Sequence, residues 1–153
     1  MSYCLDTSAL LDAWVRYYSP DVVPSFWKNL DTLVDAGRVW ACRQVLEELK
    51  RKDDDAHKWL KDRPQIIVEI DADRFKLAQA ISDAFPNWVD GKRNGADPFI
   101  VALGEQKSWQ VITGERLTKA INPRKMRIPD VCVARSVACG SLLEMMRSEK
   151  WRL

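Results

Sequence analysis

A single histidine, His57, stands in this chain of 153 residues, on a charged stretch directly after Asp53-Asp54-Asp55, where a solvated helix face accounts for it. Catalysis built on a histidine base is therefore not expected. Ser8 has no His-Asp partner pattern around it and is not read as a triad nucleophile. No apolar run approaches the roughly 18 to 20 residues that a membrane span needs. The N-terminus also has no basic region followed by an apolar stretch and a small-residue cleavage site, so a soluble, cytoplasmic chain is expected. The four cysteines, Cys4, Cys42, Cys132 and Cys139, form no CxxC pair. Two of them lie inside expected strands, so buried free thiols in a reducing compartment outweigh a zinc site or a disulfide framework. A formal charge of +2 is too small to announce a polyanion partner by itself. Internal repeats and low-complexity segments are missing as well.

What is present is 46% hydrophobic and 30% charged residues, enough for one domain, 1–153, with a core of its own. Short apolar runs alternate with longer amphipathic stretches, which argues for an α/β fold with a mostly parallel sheet. Strands are expected at 2–6, 39–42, 66–70, 110–113 and 137–139. Helices are expected at 7–18, with Leu10, Leu11, Trp14 and Val15 on one face, at 24–36, opened by Pro24 and closed by Gly37, and at 43–51. Another runs through Leu60 until Pro64 breaks the chain. Asp71 caps a helix to about Phe85, and a polar loop over 86–95 precedes a helix at 96–107. Short helices near 131–135 and from Ser141 complete the chain.

Four acids fall at revealing places in this scheme. Asp6 ends the first strand, Glu48 lies on the helix after the second, Asp97 opens the helix after Gly95, and Glu115 follows the strand at 110–113. In a parallel sheet these positions share the edge where open α/β sheets bind ligands. Each taken singly has a plain reading: Asp6 and Asp97 as helix caps, Glu48 and Glu115 as solvated charges. Together, carboxylates gathered at one edge repel each other unless a cation sits among them, and Mg²⁺ or Mn²⁺ is the hard ion that suits oxygen ligands. Such a site can polarise a phosphodiester and position water for in-line attack without a histidine. Cations flank the acids locally: Lys92-Arg93 before Asp97, and Arg116, Lys119, Arg124, Lys125 and Arg127 after Glu115. A solvated loop surface explains these equally well. Most of the seven tryptophans sit on helix faces or strands. Trp88, beside Lys92-Arg93, reads either as a loop anchor packed on the core or as a platform for a substrate base.

Four segments resemble motifs of the PIN-domain nucleases, in order and over nearly the whole chain. Tyr3-Cys4-Leu5-Asp6-Thr7-Ser8-Ala9-Leu10 is similar to the opening strand of that family, Val45-Leu46-Glu47-Glu48-Leu49 to its second acidic motif, Gly95-Ala96-Asp97-Pro98-Phe99-Ile100-Val101-Ala102 to its third and Val111-Ile112-Thr113-Gly114-Glu115 to its fourth. The resemblance implies a three-layer α/β/α sandwich around a mostly parallel sheet of about 4–5 strands. It implies metal-dependent endonucleolytic cleavage of RNA, commonly by the toxin of a toxin–antitoxin pair. Position by position it makes Asp6 the central metal ligand, Asp97 the second direct ligand, Glu48 the residue that orients a water on the metal or completes its shell, and Glu115 a ligand acting through water. Glu48 is preferred to Glu47 because the family's glutamate immediately precedes an apolar residue, here Leu49, and neighbouring helical residues point about 100° apart. Thr7, Ser8 and Thr113 are candidates to bond a carboxylate or a phosphate, or serve as caps and a strand-end hydroxyl.

The resemblance further implies a homodimer and a protein antitoxin that threads a segment carrying Arg or Lys towards the acids. Trp14, Tyr17, Tyr18, Phe26 and Trp27 are candidates for that surface, with ordinary helix packing as the competing reading. Two other functions compete with cleavage. A phosphatase using Asp6 as nucleophile would want Asp-x-Asp, and Ser8 stands where the second Asp belongs. A PIN-like module that holds RNA or protein without cutting it would carry the same fold.

Overall fold

Tyr3–Leu5 (β1), Val39–Cys42 (β2), Ile67–Val68 (β3), Gln110–Ile112 (β4) and Cys139–Gly140 (β5) form a five-stranded, all-parallel sheet in the order β3-β2-β1-β4-β5. The computed structural model describes residues 1–91 and 93–153, so Lys92 lies outside the described residues. The central strands are covered on both faces, and Tyr3, Cys4, Val39, Ala41, Cys42, Val111 and Ile112 are all fully buried. That is why these runs are continuously apolar instead of alternating.

The helices are α1 (Thr7–Leu11), α2 (Pro24–Asp35), α3 (Arg43–Lys52), α4 (Asp54–Lys61), α5 (Ala72–Ala84), α6 (Asp97–Lys107), α7 (Ile128–Arg135) and α8 (Leu142–Ser148). Their starts follow local chemistry. Asp53 and Asp71 accept from the backbone N–H groups of Ala56 and Arg74, Ser141 and Glu144 make a reciprocal capping box, and Pro24 sits in the first turn of α2. The chain steps from β1 through β2 to β3 in one direction and then returns across β1 to β4 and β5. Right-handed crossovers therefore put the first set of helices on one face and α5, α6 and α7 on the other. The expected α/β/α layering is met. The reversal falls between β1 and β4, the switch point at which such sheets open a crevice beyond their strand ends.

Three local expectations need correction. The helix expected over 7–18 is α-helical only to Leu11 and continues as a π-helical segment, Asp12–Tyr17. Tyr18 N donates to Ala13 O at 2.9 Å, one residue wider than an α turn. The wider turn rotates Val15 out of the expected apolar face, leaving it 60% exposed. The strand expected at 66–70 shrinks to Ile67–Val68, because Pro64–Ile66 forms a 3₁₀ turn before it. The strand expected at 137–139 begins only at Cys139: Ser136 is left-handed and Val137 N closes α7 on Cys132 O at 2.8 Å.

The four cysteines carry no disulfide, and three of them are buried. Among the described residues no helix is long and apolar enough to cross a membrane.

Candidate functional site

Asp6 leaves β1 in extended conformation and caps α1, where its Oδ1 accepts from Ser8 N at 2.8 Å. Its Oδ2 accepts from Ser8 Oγ at 2.8 Å and from Thr113 Oγ1 at the end of β4. The cap reading of Asp6 is therefore correct but incomplete, since the carboxylate also joins two strand ends. Asp6 is only 3% exposed. Burial pushes its pKa up, while the donors from Thr113 and Ser8 and the charge of Lys52 pull it back.

Asp97 is the first residue of α6, and the cap position belongs to Ala96 with no side-chain bond to the helix. The cap reading of Asp97 fails. Its Oδ2 is buried without a hydrogen-bond partner. Burial first, then the fields of Asp6, Glu115 and Glu48, hold its pKa well above the ordinary carboxylate range. A buried carboxylate oxygen left unpaired is costly to keep charged, so its environment favours a proton or a cation.

Glu48 reaches in from α3 and is partly buried, whereas Glu47 is exposed. Thr7 Oγ1 donates to Glu48 Oε1 at 3.4 Å, and Lys52 Nζ stands 3.7 Å from Oε2. Burial raises the Glu48 pKa, Lys52 opposes the rise and Asp6 adds to it. Glu115 follows β4, and its Oε2 accepts from Ile128 N at 2.8 Å at the start of α7. Burial raises its pKa too, partly offset by that bond. Glu115 is thus a buttressed side chain and not the solvated loop charge of the plain reading.

All four acids line one cavity of about 370 Å³ together with Thr7 and Ser8. Arg51, Lys52, Arg93, Asn94 and Arg127 complete the wall. Of the cations singled out in the sequence, Arg93 and Arg127 thus reach the acids, and Arg116 lines two neighbouring cavities. Arg51 and Lys52 are additional, and their signal was available: they follow Glu48 by three and four residues on one helix face. Among the described residues no three acidic, histidine or cysteine side chains converge closely enough to hold a metal ion between them. An ion in this cavity would be gripped by one or two carboxylates and would meet the others through its own water, the usual manner of Mg²⁺.

Trp88 is fully buried against Phe85, so it anchors the loop and offers no face to a base. Four of the five aromatic candidates for a protein surface are taken up in packing. Trp14 and Tyr18 lie against Trp27 and Phe26, which are themselves buried. Tyr17 alone among the five is 61% exposed.

The model of a family described as a domain of unknown function (DUF4411) matches residues 3–153. The chain belongs to the DUF4411 family. This DUF4411 chain is similar in structure to VapBC2 from Rickettsia felis, bound to a DNA fragment from their promoter. That likeness is 13% identical, covers 92% of this chain and 98% of the other, and has a TM-score of 0.53. FitAcB from Neisseria gonorrhoeae shares 18% identity over 90% of this chain and 95% of its own, at a TM-score of 0.48. Comparison with curated protein sequences finds no match. The first likeness shows the fold, which is that of the PIN domain.

Proposed function

We propose that this DUF4411 protein is a Mg²⁺- or Mn²⁺-dependent endoribonuclease, the toxin of a pair whose antitoxin is a protein. The observation that carries the reading is the Asp97 carboxylate. One of its oxygens is buried without a partner, and the cavity it lines holds three further acids whose charges disfavour its ionisation. That donor set is all hard oxygen, which fits Mg²⁺ or Mn²⁺ and does not fit a soft metal.

When bound, the ion supplies charge neutralisation for the phosphoryl oxygens and lowers the pKa of water at neutral pH. Asp6 and Asp97 would hold it. Ser8 and Thr113 fix the Asp6 carboxylate in one orientation. Glu48, steadied by Thr7, would take the attacking water's proton-side hydrogen bond, and Glu115, held after β4 by the N–H of Ile128 at the start of α7, would act through water. Arg127, Arg93 and Lys52 would attract the RNA backbone towards an otherwise negative cavity.

The protein partner rests on the fold likeness to VapBC2 together with the motif resemblance. A homodimer, with the chain as a single PIN-like domain over 1–153, belongs to the same reading. Purified protein incubated with total cellular RNA in Mn²⁺, with and without EDTA, tests it. Discrete metal-dependent products support the nuclease. A second reading, the non-cleaving RNA- or protein-binding module, is favoured by the lack of three converging ligands among the described residues and by the Lys52–Glu48 ion pair. RNA retained intact in both reactions would select it.

A further inference from the structure

Glu115 is shared by the acidic cavity and by a neighbouring one of about 330 Å³. The second cavity is bounded by Tyr17 and Asp12 of the π-helical segment, by Gly114 and Arg116 after β4, and by Leu142 and Leu143 of α8. Its size falls at the lower end of the range for small-ligand pockets. Tyr17 is 61% exposed and Leu143 48% exposed. Arg116 lines the cavity together with the carboxylates of Asp12 and Glu115, and Arg16 is paired with Asp12 at 3.8 Å. The wall thus combines an aromatic face, an aliphatic side chain and an arginine with two carboxylates, one of which, Glu115, belongs also to the acidic edge.

The backbone explains how Tyr17 comes to be free. Tyr18 stacks on Phe26 with ring centroids 4.6 Å apart and planes only 7° from parallel, so it is committed to the core. The wide π turn that delivers Tyr18 there leaves its neighbour on the outside. Single π-type turns recur at functional sites because they re-aim side chains in this way.

We propose that Tyr17 is a stacking platform for an unpaired base of an RNA strand. The base would enter the cavity between Tyr17 and Leu143, while the adjoining phosphate lies towards Glu115 and the acids and Arg116 meets the backbone charge. This inference rests on the nuclease reading for its substrate class and adds that the strand must be single-stranded there, since a paired base offers no free face. A protein segment on the same surface is the competing occupant. Continuity with the acidic cavity through Glu115 favours the RNA strand of the nuclease reading, and an exposed aromatic face beside Arg116 suits an unpaired base.

The test is anisotropy of a fluorescein-labelled single-stranded RNA, with EDTA present and in the Asp97→Asn background so that nothing is cut. Tyr17→Ala should weaken binding by about 5- to 150-fold, the range for losing one stacked base. Tyr17→Phe should stay within about 2-fold, because the ring and not the hydroxyl carries the contact. The same RNA in duplex form should bind equally to all three proteins. Unchanged single-strand affinity in Tyr17→Ala overturns the proposal and leaves the surface to a protein partner. So does an equal loss for duplex, or no single-strand binding at all. Cleavage is not read in this experiment, so its failure and the failure of the nuclease reading are separate results.

Discussion

Thr113 Oγ1, at the end of one central strand, donates to Asp6 Oδ2, at the end of the strand beside it. Both residues are nearly inaccessible, at 2% and 3% exposure. A buried carboxylate depends on such donors, so Thr113→Val should destabilise the protein by about 1–3 kcal/mol while keeping the shape of the side chain. Thr113→Ser should recover most of the loss. Urea denaturation of the three proteins without metal checks this, and equal midpoints would show the bond to be dispensable.

Asp97 should behave in the opposite sense. Burial and three neighbouring acids oppose its ionisation, so Asp97→Asn removes a repelled charge and should raise metal-free stability by about 1–3 kcal/mol. The parent should gain stability from Mn²⁺ by mass action, about 2.7 kcal/mol at a hundred times its dissociation constant. The variant should gain little and should not cleave RNA. Thermal melts with and without Mn²⁺ read both halves of the prediction, and a variant stabilised as much as the parent by metal would remove Asp97 from the ligand set.

Glu47 and Glu48 differ in where the helix points them. Glu48 lines the acidic cavity and Glu47 is exposed. Glu48→Gln should reduce the Mn²⁺-induced stabilisation and lower cleavage, whereas Glu47→Gln should leave stability within about 0.5 kcal/mol and activity unchanged. Reversal of that order would mean that α3 turns its other face to the metal.

The acids were legible in the sequence because their positions are written in local chemistry. Asp6 lies where an apolar run meets Thr7-Ser8, and Asp97 follows Gly95 and precedes Pro98 at a helix start. Glu48 is separated from Glu47 by the apolar Leu49 that follows it, while helical geometry requires only that one of the two face the site. The π-helical segment was not legible: Leu10, Leu11 and Trp14 repeat with ordinary α spacing, and the wide turn accompanies the packing of Trp14 and Tyr18 on α2, a tertiary contact that local spacing does not encode. The same limit left Tyr17, named with four other aromatics as a surface candidate, indistinguishable from the four that pack inward. Trp88 shows the converse: of its two sequence readings the loop anchor packed on the core is the one that holds, with the ring turned inward onto Phe85. Val137 looks like the start of a strand, but its N–H is needed to close α7.

Salt dependence separates the cations of the cavity from the rest of the surface. Arg127 lines the acidic cavity, while Arg124, three residues earlier in an exposed 3₁₀ turn, does not. If Arg127 neutralises one phosphate, Arg127→Gln should weaken single-stranded RNA binding and reduce the slope of log affinity against log salt by about 0.7. Arg124→Gln should change neither. A titration across salt concentrations gives the slope directly, and identical slopes for all three proteins would place the RNA elsewhere.

Stability in acid should depend on a site remote from the cavity, where the first strand meets the last helix. Tyr3 Oη donates to Glu149 Oε1 at 2.5 Å, and Arg38 Nη1 donates to Glu149 Oε2 at 2.9 Å. Burial alone would raise the Glu149 pKa, but the bonds from Arg38 and Tyr3 and the Arg38 charge outweigh it and hold the group below its ordinary 4.5. Tyr3 responds in the other direction: burial, then the bond to Glu149, pushes its pKa up to about 12. A carboxylate whose folded pKa is depressed binds fewer protons folded than unfolded in the interval between the two values. Its contribution is therefore complete above about pH 4.5 and is lost as pH falls through the folded value. Glu149→Gln should cost about 1–3 kcal/mol at neutral pH and should flatten the acid limb of the stability curve. Denaturation midpoints measured from neutral pH downwards test this, and parallel curves for parent and variant would show that the pair contributes nothing to acid sensitivity.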